Sequence, residues 1–552
     1  MKLKKIPTLV RTLWYIPPKQ IWARIWARLK RYYYQTPIYP LLLEKTGTPD
    51  KPTIQPTKLW KGCIKHAEEI KNQRSFTFVG HQIIKPEGQW LLPKASPLWT
   101  FNLHYWDWLA DLHTAKDQQT AQTLIEDWLL HCDSYHPVIW HPYPTSLRIV
   151  NMLVYGEWVL KKAPESLKDA FWSSLQRQLI YLSNNLEWDL GGNHLIKNIK
   201  TLIFGGVCLP AGQSLVLEGQ KLLLQQLKHQ ILPDGGHYER SPMYHVQVLM
   251  DLLEIQALLR KAGLKIPPLL DDALDRMSEA LAFYRYPDGK LGLFNDSEEK
   301  SCAELDALTR RCGKSKPPNE VTNYVRLRQK DLFVMFDAGK IGPDELPGHS
   351  HAQTLSFELC LGEERIFVNS GTYAYQHKLR SFLRSTAAHN TIVVDEENSA
   401  EIWAEHRVGR RPTHVEKKVQ LDNNGNQQIS ASHNGYRHLG ITHYREMTLT
   451  PNGSSVKGTD KITTTKNNNH RVKAHFHLHP SVECQLIDEQ HARLTTKNNQ
   501  NLTFKVEGGR LYTLPSQYAP QFGIIEETTQ LVIQGFWRNG CHISWSLSIE
   551  KN

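Results

Sequence analysis

Four short stretches concentrate side chains able to move protons or hold ions. In "PGHSHAQTLSFEL" (347–359), His349 and His351 stand two residues apart at the entrance to a run that reads as a buried strand. Residues i and i+2 of a strand share a face, so both imidazoles point the same way. Neutral imidazoles so placed ligate a cation such as Zn2+, or divide the labour, one ligating and one transferring protons. Two histidines alone specify no metal, and a structural role is the plainer alternative.

"DGGHYERSPMYH" (234–245) offers Ser241 and Pro242 as the N-cap and first residue of a helix, which puts Tyr244 and His245 in its first turn. A tyrosine at a helix mouth exchanges a proton where neighbouring cations lower its reference pKa of about 10. A core tyrosine is the alternative. "LGGNHLIKNIK" (190–200) uses a Gly pair as a turn and sets Asn193 and His194 at or near a helix N-terminus, where backbone N–H groups and the helix dipole favour an anion. Taken alone, Asn193 is simply an N-cap and His194 a first-turn surface residue. "RIFVNSGTYAY" (365–375) places Asn369 near the end of one strand, and "RSTAAHNTIVVD" (384–395) places His389 and Asn390 at the start of another. Mixed nitrogen and oxygen ligation by His351, Asn369 and His389 is chemically reasonable, although Asn369 alone is a turn residue.

The elements around these stretches change character along the chain. Between about residues 100 and 290, segments such as "SLRIVNMLVYGEWVLKK" and "ESLKDAFWSSLQRQLIYLSNNL" repeat apolar residues at three- and four-residue steps and break at Pro or Gly. Short connections between them imply antiparallel helical pairs, which a stack or toroid would satisfy. After "CGKSKPPNE" (312–320) the pattern becomes period-two: "DLFVMFDAG", "TLSFELCLG", "NTIVVD", "VKAHFHLHP" and "CHISWSLSI", separated by turns such as "PNGS". The expectation is a basic amphipathic segment over 1–45, a helical domain over 46–320 and a large antiparallel β-sandwich over 321–552.

Bulk properties narrow the function. The 552 residues suit about two to four domains. The 40% hydrophobic and 22% charged content is ordinary for a globular chain. The net charge of +11 is localised: residues 1–34 hold nine Lys or Arg and no acid. Within them "IWARIWARLKR" lays an Ile/Trp stripe beside a cationic one, a pattern that suits an anionic membrane surface or a partner, or a basic helix packed on its own domain. The remaining chain is nearly neutral, so no nucleic-acid partner is expected. No apolar run near 18 residues exists, and Arg11, Pro17 and Pro18 interrupt any signal-peptide core. A cytoplasmic or membrane-peripheral location is favoured, with the periplasm the alternative. Eight scattered cysteines without a CxxC read as free thiols.

"GGNH", "DGGHYERSPMYH", "GHSHAQTLSFEL", "VNSGTYAY" and "RSTAAHNT", in this order, resemble the heparinase II/III-like polysaccharide lyases, as do "LWTFNLHYWDWL" and "AEIWAEHRVGRRP". The resemblance spans roughly residues 95–415. It implies an incomplete (α/α) toroid followed by an antiparallel β-sandwich, with the cleft between them, and β-elimination on a uronate-containing acidic polysaccharide. Carried over by motif, Asn193 and His194 bind and neutralise the uronate carboxylate, Tyr244 is the general acid and for one C5 configuration also the base, and His349 is the base from the opposite side. Tyr373 and Arg148 are further candidates for substrate contact, and His351, Asn369 and His389 hold a structural zinc ion. Three positions depart from the family pattern: Asn369 and Gln353 stand where acidic residues are common, and Lys197 where some members carry Glu.

Two other classes remain open in the sequence. One is a non-catalytic sugar-binding protein assisting exopolysaccharide assembly. The other is a toroidal glycoside hydrolase using paired carboxylates, for which Glu239 and Asp296 are the candidates.

Overall fold

Secondary structure follows the two sequence grammars. The computed structural model describes residues 6–36, 38–39, 51–313, 315–421 and 424–550, so the remaining parts of the 1–45 segment lie outside the described residues. The last long helix, Cys302–Cys312, ends just before the first strand of the larger sheets at Glu320–Val321. Compactness divides the chain differently, into one unit of 17–230 and 247–274 and another of 1–16, 231–246 and 275–552.

Among its described residues, the first unit is helical apart from one hairpin, Ser75–Phe78 with His81–Ile84. Helix Gly192–Cys208 packs against both Gln213–Gln230 and Pro142–Leu160. The approach to Gln213–Gln230 is close enough that a Cβ on Gly206 would lie 2.6 Å from the Val216 backbone nitrogen. Trp99, Trp106, Trp108, Trp128 and Trp140 are fully buried, so much of the aromatic content is core. Helix Gly192–Cys208 starts abruptly because Gly191 and Gly192 adopt φ of 68° and 55°, a region that side chains disfavour. Its N-cap is therefore Gly191, and Asn193 is the second helical residue rather than the cap.

The second unit is built on antiparallel sheets. An eight-stranded sheet runs in the order Val415–Leu421, Gln427–His433, Ile441–Leu449, Ser455–Thr464, Cys541–Ile549, Asn501–Glu507, His491–Thr495, Glu483–Leu486. A four-stranded sheet orders Arg510–Tyr518, Glu526–Arg538, Asn469–His477 and Ile392–Val394. A five-stranded sheet runs in sequence order from Glu320–Val321 to Glu364–Phe367. Alternation places Ile441, His443, Arg445, Met447 and Leu449 inward along one strand. Phe357, Phe476, Phe504 and Trp545, drawn from all three sheets, meet in one apolar core.

His349 and His351 do not lie on a strand. Pro347–His349 is a turn of 3-10 helix, and the following strand begins only at Phe357. A proline opening and a glycine in the middle favour that tight turn over an extended ladder, so the two rings reach their partners from a loop.

Candidate active site

In the β-rich unit, the segment Asn295–Asp296 is laid against Gly348–His351. The Asp296 N–H donates to the His349 carbonyl at 3.0 Å, and the His351 N–H donates to Asn295 Oδ1 at 2.9 Å. Asn295 adopts a φ of 55°, which asparagine tolerates better than most side chains, and its amide nitrogen donates to the Arg240 carbonyl at 3.0 Å. Arg240 itself is held at φ 58°, a strained conformation for its side chain type, and its guanidinium donates to Asp337 at 2.7 Å. Ser241 follows as the expected cap: its Oγ accepts from the Tyr244 N–H at 3.2 Å and donates to the Asp296 carbonyl at 2.6 Å. The first turn of helix Pro242–Lys261 is thereby tied to Asp296.

Asp296 is the hub. Its fully buried carboxylate accepts from His349 Nδ1 at 2.9 Å, His351 Nε2 at 2.9 Å, Thr372 Oγ1 at 3.1 Å and both terminal nitrogens of Arg380, Nη2 at 2.7 Å. Burial would raise its pKa, but the Arg380 charge and the hydrogen bonds from the two histidines hold it well below the usual carboxylate range. An ionised acceptor fixes His349 with its proton on Nδ1, leaving the Nε2 lone pair to accept a proton. That Nε2 lies 3.7 Å from Glu239 Oε2, so the two acids nominated as a hydrolase pair instead bracket one imidazole.

The Tyr244 ring lies 4.0 Å from the His349 ring, centroid to centroid. Its hydroxyl hydrogen-bonds that of Tyr375, whose proton is held well above the ordinary tyrosine range by burial and then by the Asp296 charge. Tyr375 therefore remains a neutral donor. Tyr373 is half-buried and packs on His377 at 4.7 Å, its backbone carbonyl accepting from the Gly523 N–H at 2.8 Å.

The metal expectation fares differently. His351 Nδ1 faces His389 Nε2 at 3.3 Å, but Asn369 Oδ1 lies 3.0 Å from His389 Nδ1, the far side of that ring. The three side chains do not converge on one point. A second buried pair shows that facing imidazoles at this spacing need no cation. His443 Nδ1 lies 3.2 Å from His433 Nε2, His443 Nε2 donates to Asp460 at 2.8 Å, and the Gly435 N–H donates to His433 Nδ1 at 3.0 Å. Each ring proton there is accounted for. The buried Asn369 Nδ2 has no hydrogen-bond partner, so rotating its amide lets it donate to His389 Nδ1 and complete the same chain. Among the described residues, no group of three or more His, Cys, Asp or Glu side chains is arranged to hold a metal ion. With Asn369 Oδ1 on the far side of the His389 ring from His351, these three side chains as placed do not form a three-ligand zinc site. Gln353 touches neither histidine: it accepts from the Asn295 N–H at 2.8 Å and donates to Asp337 at 2.9 Å.

In the helical unit, Asn193 is buried and His194 partly exposed. His194 Nδ1 meets Glu187 Oε1 at 2.9 Å, and its ring packs on Tyr143 at 4.3 Å. Glu187 also accepts from Asn198 at 3.0 Å. Burial would raise its pKa, but His194, followed by His141 and Asn198, lowers it, so Glu187 stays ionised and holds His194 through Nδ1. Nearby His141 is depressed to about 4 by burial. Arg148 must be corrected: it is fully buried and donates to Gln178 at 2.7 Å and to the His104 and Ile139 carbonyls at 2.9 and 3.1 Å, with none of its surface open to a substrate. Lys197 is likewise spoken for by Asp251 at 2.8 Å.

Sequence reasoning did not single out Arg380, Tyr375 or Glu187, and it named Asp296 only with Glu239 as the carboxylate pair of the hydrolase alternative. Tyr375 differed from the named Tyr373 only by position in "GTYAY". Glu187 sits seven residues before His194 across the Gly pair, too far for a local motif to announce it.

Comparisons with known proteins agree with this architecture. Two family models match the chain: "Heparinase II/III N-terminus" over residues 69–324 and "Heparinase II/III-like, C-terminal" over 314–546. FtsZ-localized protein C of Caulobacter vibrioides is 24% identical over 82% of this chain and 83% of its own. A heparin-sulfate lyase of Bacteroides thetaiotaomicron is 23% identical over 47% of this chain and 45% of its own. Among solved structures, heparinase III superposes with a TM-score of 0.74 at 16% identity, over 96% of this chain and 92% of that one.

Proposed function

The chain belongs to the heparinase II/III-like family, and from that premise we propose that it is a polysaccharide lyase acting on a uronate-containing acidic polysaccharide by β-elimination. The incomplete toroid that the family resemblance implies is part of this reading. The observation that carries it is the His349 imidazole, held by ionised Asp296 through Nδ1 and stacked beside the Tyr244 phenol.

The chemistry asks for three things. The proton at C5 of a uronate is weakly acidic, and its removal places charge on the adjacent carboxylate, so donors to that carboxylate lower the barrier. Asn193 and His194 take this role. A base then removes the C5 proton: His349 Nε2 accepts it, and Asp296 and Glu239 stabilise the resulting imidazolium as the aspartate of a hydrolytic triad does. The C4–C5 double bond forms as the C4–O bond breaks, and Tyr244 gives its proton to the departing glycosidic oxygen. Tyr375 donates to the Tyr244 oxygen and stabilises the phenolate left behind. For the opposite C5 configuration Tyr244 serves as base as well. Tyr373 remains a candidate for substrate contact. No step is routed through a metal.

A second reading has one observation in its favour: the relative matched over most of both chains is named for its localisation with FtsZ rather than for a reaction. On that reading the same fold binds an acidic polysaccharide without cleaving it. Product mass separates the two. Incubation with uronate polymers should release oligosaccharides one water lighter than hydrolysis products; intact polymer that co-elutes with the protein supports binding alone.

A further inference from the structure

The two N-terminal helices are amphipathic in the opposite sense to ordinary surface helices, which turn apolar residues inward. In Ile6–Leu13, the apolar residues Ile6, Leu9, Val10 and Leu13 recur at one helical face, and all four are exposed. The opposite face meets the β-rich unit through polar groups: Thr8 and Arg11 donate to Glu401, and Trp403 Nε1 donates to Thr12 Oγ1 at 2.9 Å. Trp14, just beyond, is 85% exposed.

Helix Pro18–Tyr34 repeats the inversion within the helical unit. Trp22, Ile25, Trp26, Leu29 and Tyr33 fall at i, i+3, i+4, i+7 and i+11 and are exposed, Trp22 at 70% and Trp26 at 60%. Its inward face is held mainly by hydrogen bonds, with one buried ring: Gln20 donates to the Asp189 carbonyl at 2.9 Å, Lys30 to the Asn184 carbonyl, and Tyr34, whose ring packs on Tyr135 and Tyr181, to Asn185 at 3.0 Å. Among the described residues, twelve of the 28 exposed large apolar side chains lie between Ile6 and Ile38. Such a concentration of outward Trp, Ile and Leu marks an interaction surface.

Charge identifies the partner. Lys19 and Arg28 are exposed and flank the Trp22–Leu29 stripe on its two sides, and residues 1–34 contain nine cations and no acid. Tryptophan is the side chain best suited to the boundary between acyl chains and headgroups, and cations beside it attract anionic headgroups. No helix among the described residues is long and apolar enough to cross a membrane. We propose that the Pro18–Tyr34 helix lies in the interface of an anionic lipid bilayer, its Trp/Ile/Leu face inserted and its flanking Lys and Arg on the headgroups. The proposal is independent of the lyase reading.

The full chain is sedimented with vesicles of phosphatidylcholine alone and of phosphatidylcholine with phosphatidylglycerol, at low and high salt. Binding to the anionic vesicles, several-fold weaker in high salt, is expected. The variant Trp22→Ala/Leu29→Ala, which removes only exposed groups, should bind roughly tenfold or more weakly with unaltered thermal unfolding. Arg28→Glu should weaken binding to anionic vesicles only. No vesicle binding, equal binding to both compositions, or wild-type binding by the double variant would overturn the proposal. So would concentration-dependent self-association, abolished by the double variant, in place of vesicle binding.

Discussion

Asp296 joins His349 and His351 through one carboxylate, with Oδ2 on His349 Nδ1 and Oδ1 on His351 Nε2, both at 2.9 Å. The first contact fixes the tautomer of the proposed base and the second orders the loop behind it. Asp296→Asn should therefore lower kcat by about 10^2–10^4-fold, as loss of an orienting carboxylate does in hydrolytic triads. It also strands the buried Arg380 guanidinium, for which a loss of about 3–5 kcal/mol in stability is expected. Steady-state rates and denaturant unfolding on the same preparation measure both. Full activity in Asp296→Asn would remove Asp296 from the mechanism.

The Tyr244–Tyr375 hydroxyl pair makes a graded prediction. Tyr244→Phe removes the proton donor and should abolish turnover. Tyr375→Phe leaves the donor in place and removes only a neutral hydrogen bond to it, so a loss of roughly tenfold in kcat is expected, in line with one such bond of about 1–1.5 kcal/mol. A larger loss in Tyr375→Phe than in Tyr244→Phe would mean that Tyr375, not Tyr244, touches the leaving group.

Much of this site was legible in the sequence where residues close in the chain act together. Ser241 capping Tyr244 and the Gly191–Gly192 turn before Asn193 and His194 follow from local backbone chemistry, and so do the alternating strands after residue 320. What escaped was long-range. Asp296 and Arg380 are 84 residues apart and meet His349 only because Asn295–Asp296 is laid along Gly348–His351. Arg148 misled for the converse reason: a charged residue in a helical repeat reads as exposed unless its interior acceptors, Gln178 and two backbone carbonyls, are known. The strand drawn for His349 and His351 began too early, because Pro347–Gly348 forms a turn before the apolar run is extended.

Acid should destabilise the fold in two stages. His104, His245 and His477 are buried and depressed to about 3, and His141 to about 4, in each case chiefly by burial. Below pH ~6.5 the unfolded chain binds protons that these folded histidines refuse, so stability falls with pH, by about 1.4 kcal/mol per histidine per unit, until the folded values are reached. Asp296 and Asp460 are held low by Arg380 and Arg445 against the effect of burial, so their stabilisation is complete above pH ~4 and is lost below it. Thermal unfolding measured from pH 8 to pH 3 should show a decline that begins near 6.5 and steepens below 4. A flat profile between 7 and 5 would contradict the neutral state of the buried histidines.

Because Asn369 lies on the far side of the His389 ring from His351 and the three side chains do not converge, purified protein should carry less than one equivalent of zinc, and chelation should leave its thermal unfolding unchanged. Asn369→Ala should cost about 1–3 kcal/mol through the unpaired His389 nitrogen. Stoichiometric zinc by elemental analysis, with destabilisation by chelator, would contradict this arrangement.

The central claim is elimination by His349 and Tyr244. Its most direct test is ultraviolet absorbance of the unsaturated uronate end during incubation with a panel of uronate polymers. The account predicts a steady rise with at least one polymer for the wild-type chain and none for His349→Ala or Tyr244→Phe. New reducing ends without the chromophore, or a rise undiminished in both variants, would contradict it.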